Sequence, residues 1–154
     1  QTVKAHQDQA RLRNISLNVQ LEEDIDIVVD ASAFSIILSN FVTNALKHSP
    51  SNSEILIKND LEDDFLTTLS VIDHGKGIPK KYRDRVFERF FRVDKGRAKH
   101  SGGTGLGLAI SKHLARLMGY EVGMKPNKPN GSRFWISVNY ASSEEEKSLT
   151  PELA

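Results

Sequence analysis

The chain has 154 residues, of which 38% are hydrophobic and 27% charged, and its formal net charge is +1. That length and composition describe one globular domain and exclude a disordered polymer, and the near-zero charge leaves no global argument for nucleic acid or a membrane surface as partner. Cysteine is absent, which excludes disulfides and thiolate metal sites and fits a reducing compartment, and no apolar run is long enough to cross a bilayer.

Residues 2–13 space Val3, Ala5, Ala10 and Leu12 in a polar background, a weakly amphipathic helix. Residues 15–21 alternate Ile15, Leu17, Val19 and Leu21 with polar residues, the pattern of a half-buried strand. A short strand over 25–29 follows. Asp30 then offers an N-cap to a long helix reaching about Lys47, which Pro50 and its Ser-Asn-Ser neighbours stop. Residues 54–58 and 65–72 predict two strands joined by an acidic turn at 61–64. Asp73-His74-Gly75-Lys76-Gly77 ends the second strand, and a short helix is predicted over 79–87. Residues 94–103 are basic, glycine-bearing and without apolar period, a loop. A helix opens at about Gly105 and ends near Gly119, and a hairpin of 120–125 with 132–140 turns at Asn130-Gly131. The acidic tail from 142 onward predicts disorder. The opening Gln1-Thr2-Val3-Lys4 reads like the interior of a longer protein. The order of elements predicts an α+β two-layer sandwich, with three helices on one face of a mixed, mostly antiparallel sheet.

Four segments carry chemistry. Asn40, Asn44 and Lys47 share one stripe of the long helix, while Leu38, Val42 and Ala45 face a core. An amide oxygen is a hard ligand suited to Mg²⁺ and Lys47 suits a phosphate; a merely solvated polar face is the competing reading. Asp73 at a strand end, with Gly75 and Gly77 behind it, suits a carboxylate pointed into a crevice beside a flat ligand, or a simple capped turn. Phe87, Phe90 and Phe91 with Val86 are helically spaced and expected in the core, and Arg92 and Lys95 open a cationic segment. Gly103-Thr104-Gly105-Leu106-Gly107-Leu108 precedes an apolar helix, a position that favours phosphate, or is a flexible hinge with no ligand. Its spacing fits neither the Walker A pattern, which needs Lys after the last glycine, nor the Rossmann fingerprint.

In this order the four segments closely resemble the N, G1, F and G2 boxes of bacterial sensor histidine kinases, members of the Bergerat-fold (GHKL) ATP-binding superfamily. The resemblance spans roughly residues 15–140. It implies ATP and Mg²⁺ as cofactors. Asn44 matches the Mg²⁺-binding asparagine, Asn40 its neighbour, and Lys47 a phosphate contact. Asp73 matches the acid that receives the adenine amine; Gly75, Gly77 and Ile78 line that pocket, with His48 beside it. Arg92 resembles an arginine that contacts the terminal phosphate. Gly103, Thr104, Gly105, Leu106, Gly107 and Leu108 match the end of a lid over the triphosphate. His48 and His74 depart from the pattern, standing where Tyr and Asn are frequent.

The resemblance further implies phosphoryl transfer to a histidine on a separate dimerisation domain, and a response-regulator receiver domain as downstream partner. In hydrolysing relatives a Glu occupies the place of Asn40, and an amide cannot act as general base. None of His6, His48, His74, His100 and His113 is followed by the acidic residue and leucine of a phosphoacceptor box. The expected organisation is a helical lead-in over 1–14, the ATP-binding catalytic domain over 15–141 and a tail over 142–154. The piece is expected to be a monomer from the cytoplasmic part of a membrane-anchored homodimer, with no nucleic acid partner. A serine kinase of the anti-sigma-factor type, a gyrase- or chaperone-like ATPase and a non-catalytic nucleotide-binding module are the alternatives.

Overall fold

The computed structural model describes residues 1–22, 25–93 and 105–142. The elements in chain order are α1 (Thr2–Leu12), β1 (Ser16–Gln20), β2 (Ile25–Ile27), α2 (Ala31–His48), β3 (Glu54–Leu61), β4 (Leu66–Ile72), α3 (Gly107–Leu117), β5 (Glu121–Pro126) and β6 (Ser132–Ser142). The six strands form one sheet in the order β1-β3-β4-β6-β2, with β5 also on β6. Among the described residues β1 and β3 run parallel, and the other strand pairs are antiparallel. Three helices pack against this mixed sheet, as the element order predicts.

Local chemistry explains most boundaries. Asp30 Oδ1 accepts a 2.8 Å hydrogen bond from the Ala33 N–H, satisfying a donor left over at the start of α2. Gly119 follows the end of α3 with φ +78°, the left-handed conformation expected of a C′ glycine. Asp63 Oδ1 accepts from the Phe65 and Leu66 N–H groups and so shapes the acidic turn between β3 and β4.

The core lies between the helices and the sheet. Ile37, Phe41, Val42, Ala45 and Leu46 of α2 are buried against Ile55, Ile57, Val71, Phe134, Ile136 and Val138 of the strands. The Phe41 and Phe134 rings, 5.7 Å apart, join the two layers. Truncating Phe41 to alanine is expected to cost about 3–5 kcal/mol, read as a lower urea midpoint at unchanged slope.

Helix α1 joins the same core through Ala10, which is fully buried. It runs beside α2 in the same direction: His6 Nε2 lies 2.9 Å from Ser39 Oγ, and Arg13 donates to the Leu46 and Ser49 carbonyls. Arg13 thereby satisfies acceptors exposed at the C-terminal end of α2.

Two expectations differ from the fold. The helix expected over 79–87 is only a 3-10 turn, Lys80–Tyr82, followed by further turns. Its apolar residues are held by different partners rather than by one helical face: Phe87 lies edge-on to Phe134 at 6.1 Å, and Phe91 packs on Tyr82 at 5.6 Å. Phe90 is not in the core. It is 72% exposed, at φ +63°.

Candidate functional site

The end of α2, the turn after β4 and the start of α3 converge on one region. Gly75 lies against the last turn of α2, where a Cβ would come within 2.4 Å of the His48 carbonyl oxygen. Only glycine allows that approach. Gly105 pairs with the aromatic segment: Phe90 N–H donates to the Gly105 carbonyl at 2.9 Å, and a Cβ on Gly105 would meet the Phe90 backbone at 2.9 Å. Phe90 and Gly105, at φ +63° and +72°, adopt left-handed conformations around this contact. Gly103 and Thr104, and the basic segment with Lys95, lie outside the described residues.

Asp73 sits where β4 ends and is 2% exposed. Its Oδ1 accepts from the Gly75 N–H at 2.9 Å and the Ser132 N–H at 3.2 Å. Its Oδ2 accepts nothing from the described residues, which leaves one oxygen of a fixed carboxylate for a ligand donor. Burial pushes the carboxyl above its usual range, against the hydrogen bonds from Gly75 and Ser132 and the electrostatic influence of the neighbouring His48 and His74. Gly77 (φ +73°) and half-buried Ile78 continue the same turn, while His48 and His74 are exposed beside it.

On α2 the three polar residues have different surroundings. Asn40 Nδ2 donates to the Gly107 carbonyl at 2.9 Å and to Ser111 Oγ at 3.1 Å, and Ser111 Oγ donates to the same carbonyl at 2.9 Å. These contacts orient the amide, because its oxygen would repel the Gly107 carbonyl. Asn40 thus ties α2 to the first turn of α3. Asn44, one turn on, is half-buried and has no hydrogen-bond partner among the described residues. Lys47 is half-buried, and burial and then the charge of Arg92 push its ammonium below the usual lysine range. Leu106, Gly107 and Leu108, all part-buried, form the start of α3, whose backbone N–H groups favour an anion.

Away from these residues, a concavity of about 500 Å³ lies on the outer face of the sheet beside Lys58, Asp60, Arg133 and Trp135. Its charges answer one another: Asp60 accepts from Lys58 at 2.9 Å and from Arg133 at 2.5 Å. It gathers no catalytic set.

The family model of histidine kinase-, DNA gyrase B- and HSP90-like ATPases matches residues 29–142. The chain belongs to this family. Among relatives of this ATPase domain, the sensor histidine kinase WalK of Bacillus subtilis is 36% identical over 126 residues, 81% of this chain and 21% of that protein. The chain thus spans about a fifth of WalK's length. The mycobacterial sensor histidine kinase MprB aligns with a TM-score of 0.77 at 27% identity, covering 92% of this chain and 93% of that one. Full-length ShkA in complex with AMPPNP aligns with a TM-score of 0.79 at 28% identity, covering 92% of this chain and 29% of that one.

Sequence reasoning missed Ser111, Ser132 and Asn127. Ser132 stands two places after Asn130 in the hairpin turn, and nothing local marks it. Its partner Asp73 is 59 residues away. Asn40 and Ser111 are 71 residues apart.

Proposed function

We propose that this domain binds ATP with Mg²⁺ and transfers the γ-phosphoryl group to a histidine on a separate dimerisation domain of the same kinase. The observation that carries the reading is that half-buried Asn44 and Lys47 lie one helical turn apart on α2, whose end packs on the turn holding buried Asp73. Lys47 suits a phosphate, and the Asn44 oxygen suits a hard divalent cation. Among the described residues there is no cluster of three His, Cys, Asp or Glu, so protein and ligand phosphates would share the coordination. When bound, Mg²⁺ supplies charge neutralisation at the phosphates.

The chain's own residues do the rest. Asp73 Oδ2 accepts the adenine amine, and Gly75, Gly77, Ile78 and His48 shape the pocket around the base. Lys47 and Arg92 orient the phosphates, and Gly105, Leu106, Gly107 and Leu108 meet them at the start of α3. Asn40 holds that helix start and offers no general base, its amide nitrogen being committed to Gly107 and Ser111. Positioning without a base favours transfer over hydrolysis of ATP by water.

In this reading residues 1–14 lead in from the dimerisation domain and residues 15–141 form the catalytic unit; of the tail expected over 142–154, Ser142 still belongs to β6 and the rest lies outside the described residues. A response-regulator receiver domain takes the phosphoryl group onward. The isolated chain is monomeric, and the parent is a membrane-anchored homodimer with this domain in the cytoplasm. No helix among the described residues is long and apolar enough to cross a membrane.

Incubation with γ-labelled ATP and Mg²⁺ tests the division of labour. The isolated chain is expected to acquire no phosphohistidine, and a separately supplied dimerisation domain is expected to become labelled. Acid-labile label on the isolated chain, or none on the supplied domain, contradicts the reading.

A further inference from the structure

Asp73 is gripped from behind by the turn between β5 and β6. Asn127, the first residue after β5, points its Nδ2 at three acceptors. These are the Asp73 carbonyl at 3.0 Å, the Asn130 carbonyl at 3.3 Å and His74 Nδ1 at 3.3 Å. The amide has two hydrogens, so the nearest acceptor, Asp73, takes one and the other two share the second. The Asn127 backbone N–H closes the turn on the Gly131 carbonyl at 3.1 Å. Next in the chain, Gly131 sits so close that a Cβ would fall 1.9 Å from the Asp73 carbonyl oxygen. Ser132 then accepts from the Asp73 N–H at 2.9 Å and donates to Asp73 Oδ1 at 3.2 Å.

We infer that Asn127 is a positioning residue for base recognition by Asp73, an inference that rests on the nucleotide-binding reading above. The carboxylate meets a ligand only through Oδ2. The direction of Oδ2 is set by the two N–H groups on Oδ1, and one of these belongs to Ser132. Asn127 fixes the turn that delivers Ser132, and it holds the Asp73 backbone directly. Without its carboxamide, the Asp73 carbonyl loses a donor in a crowded place and the turn loses its tie to Asp73. A recognition group misplaced by a fraction of an ångström forms a poorer bond with its ligand. Asn127 itself touches no ligand in this account.

Calorimetric titration of Asn127→Ala with ATP, ADP and AMP, well below its unfolding temperature, tests this. Affinity is expected to fall about tenfold and by the same factor for all three, because the defect lies at the base and not at the phosphates. Asn127→Asp, which keeps the side-chain shape and removes the donor, is expected to lose at least as much. In an Asp73→Asn background, Asn127→Ala is expected to cost less than a further twofold, because its effect runs through Asp73. A merely structural asparagine would give independent losses in the two backgrounds. Unchanged affinity in both Asn127 variants, a loss that grows with the number of phosphates, or full additivity with Asp73→Asn would overturn the inference alone. A wild-type chain that binds no adenine nucleotide, or an Asp73→Asn variant that binds like wild type, would overturn it together with the nucleotide-binding reading.

Discussion

Asp73→Asn is expected to weaken ATP binding about 100-fold or more while making the folded domain more stable. The two effects have one cause. Asp73 is buried, and burial pushes its carboxyl above the usual range. The folded state therefore holds its proton more tightly than the unfolded state does. Stability falls as pH rises from the unfolded value, about 3.9, through the higher folded value. Asparagine keeps an acceptor for the Gly75 and Ser132 N–H groups and removes the charge. The gain is expected to be read as a higher unfolding temperature at pH 7. It is expected to shrink as the pH is lowered toward 4. The adenine amine, in contrast, loses a charged acceptor and meets an amide whose NH₂ competes for the same place, a loss of about 2–3 kcal/mol. Calorimetry and thermal unfolding on one pair of proteins measure both. A variant that binds ATP normally, or one that loses stability at pH 7, would contradict this account of Asp73.

The second large effect is expected at Asn44. Asn44→Ala removes a half-buried amide that no protein group uses among the described residues, so the fold is expected to be preserved. ATP affinity in excess chelator is expected to stay within about threefold of wild type, because Asp73, Lys47 and Arg92 are untouched. The additional affinity conferred by Mg²⁺ is expected to vanish. Transfer to a supplied dimerisation domain is expected to fall about 10³-fold, several kcal/mol of lost charge stabilisation. Asn40→Ala should behave differently. It breaks the tie to Gly107 and Ser111, so its effect should appear with and without Mg²⁺. Equal behaviour of the two variants would argue against separate roles for the two asparagines.

The parts legible in the sequence were those written in local chemistry. Asp30 as N-cap, Gly119 as helix stop, the acidic turn at Asp63 and the turn at Asn130-Gly131 each act within a few residues of themselves. The stripe of Asn40, Asn44 and Lys47 was legible from helical period alone. What the stripe does with its surroundings was not. Asn40 is committed to a helix start 67 residues away, and Lys47 feels Arg92 from a segment with no regular structure. The segment over 79–93 misled for a physical reason. Its apolar spacing fits a helix, but Phe87 and Phe91 answer to different partners, and Phe90 leaves the core to meet Gly105. The grip of Asn127 on Asp73 depends on how the hairpin of β5 and β6 is set beside β4, a long-range register that no local pattern encodes.

The central claim is that this chain alone forms an adenine-nucleotide site with a place for Mg²⁺. Titrating the isolated chain with a non-hydrolysable ATP analogue, once with Mg²⁺ and once with chelator, tests it most directly. The account predicts saturable one-to-one binding in the micromolar range, roughly −8 kcal/mol, tightened by Mg²⁺ in wild type and not in Asn44→Ala. Absence of saturable binding below millimolar concentrations, or binding indifferent to both Mg²⁺ and Asp73→Asn, would contradict it.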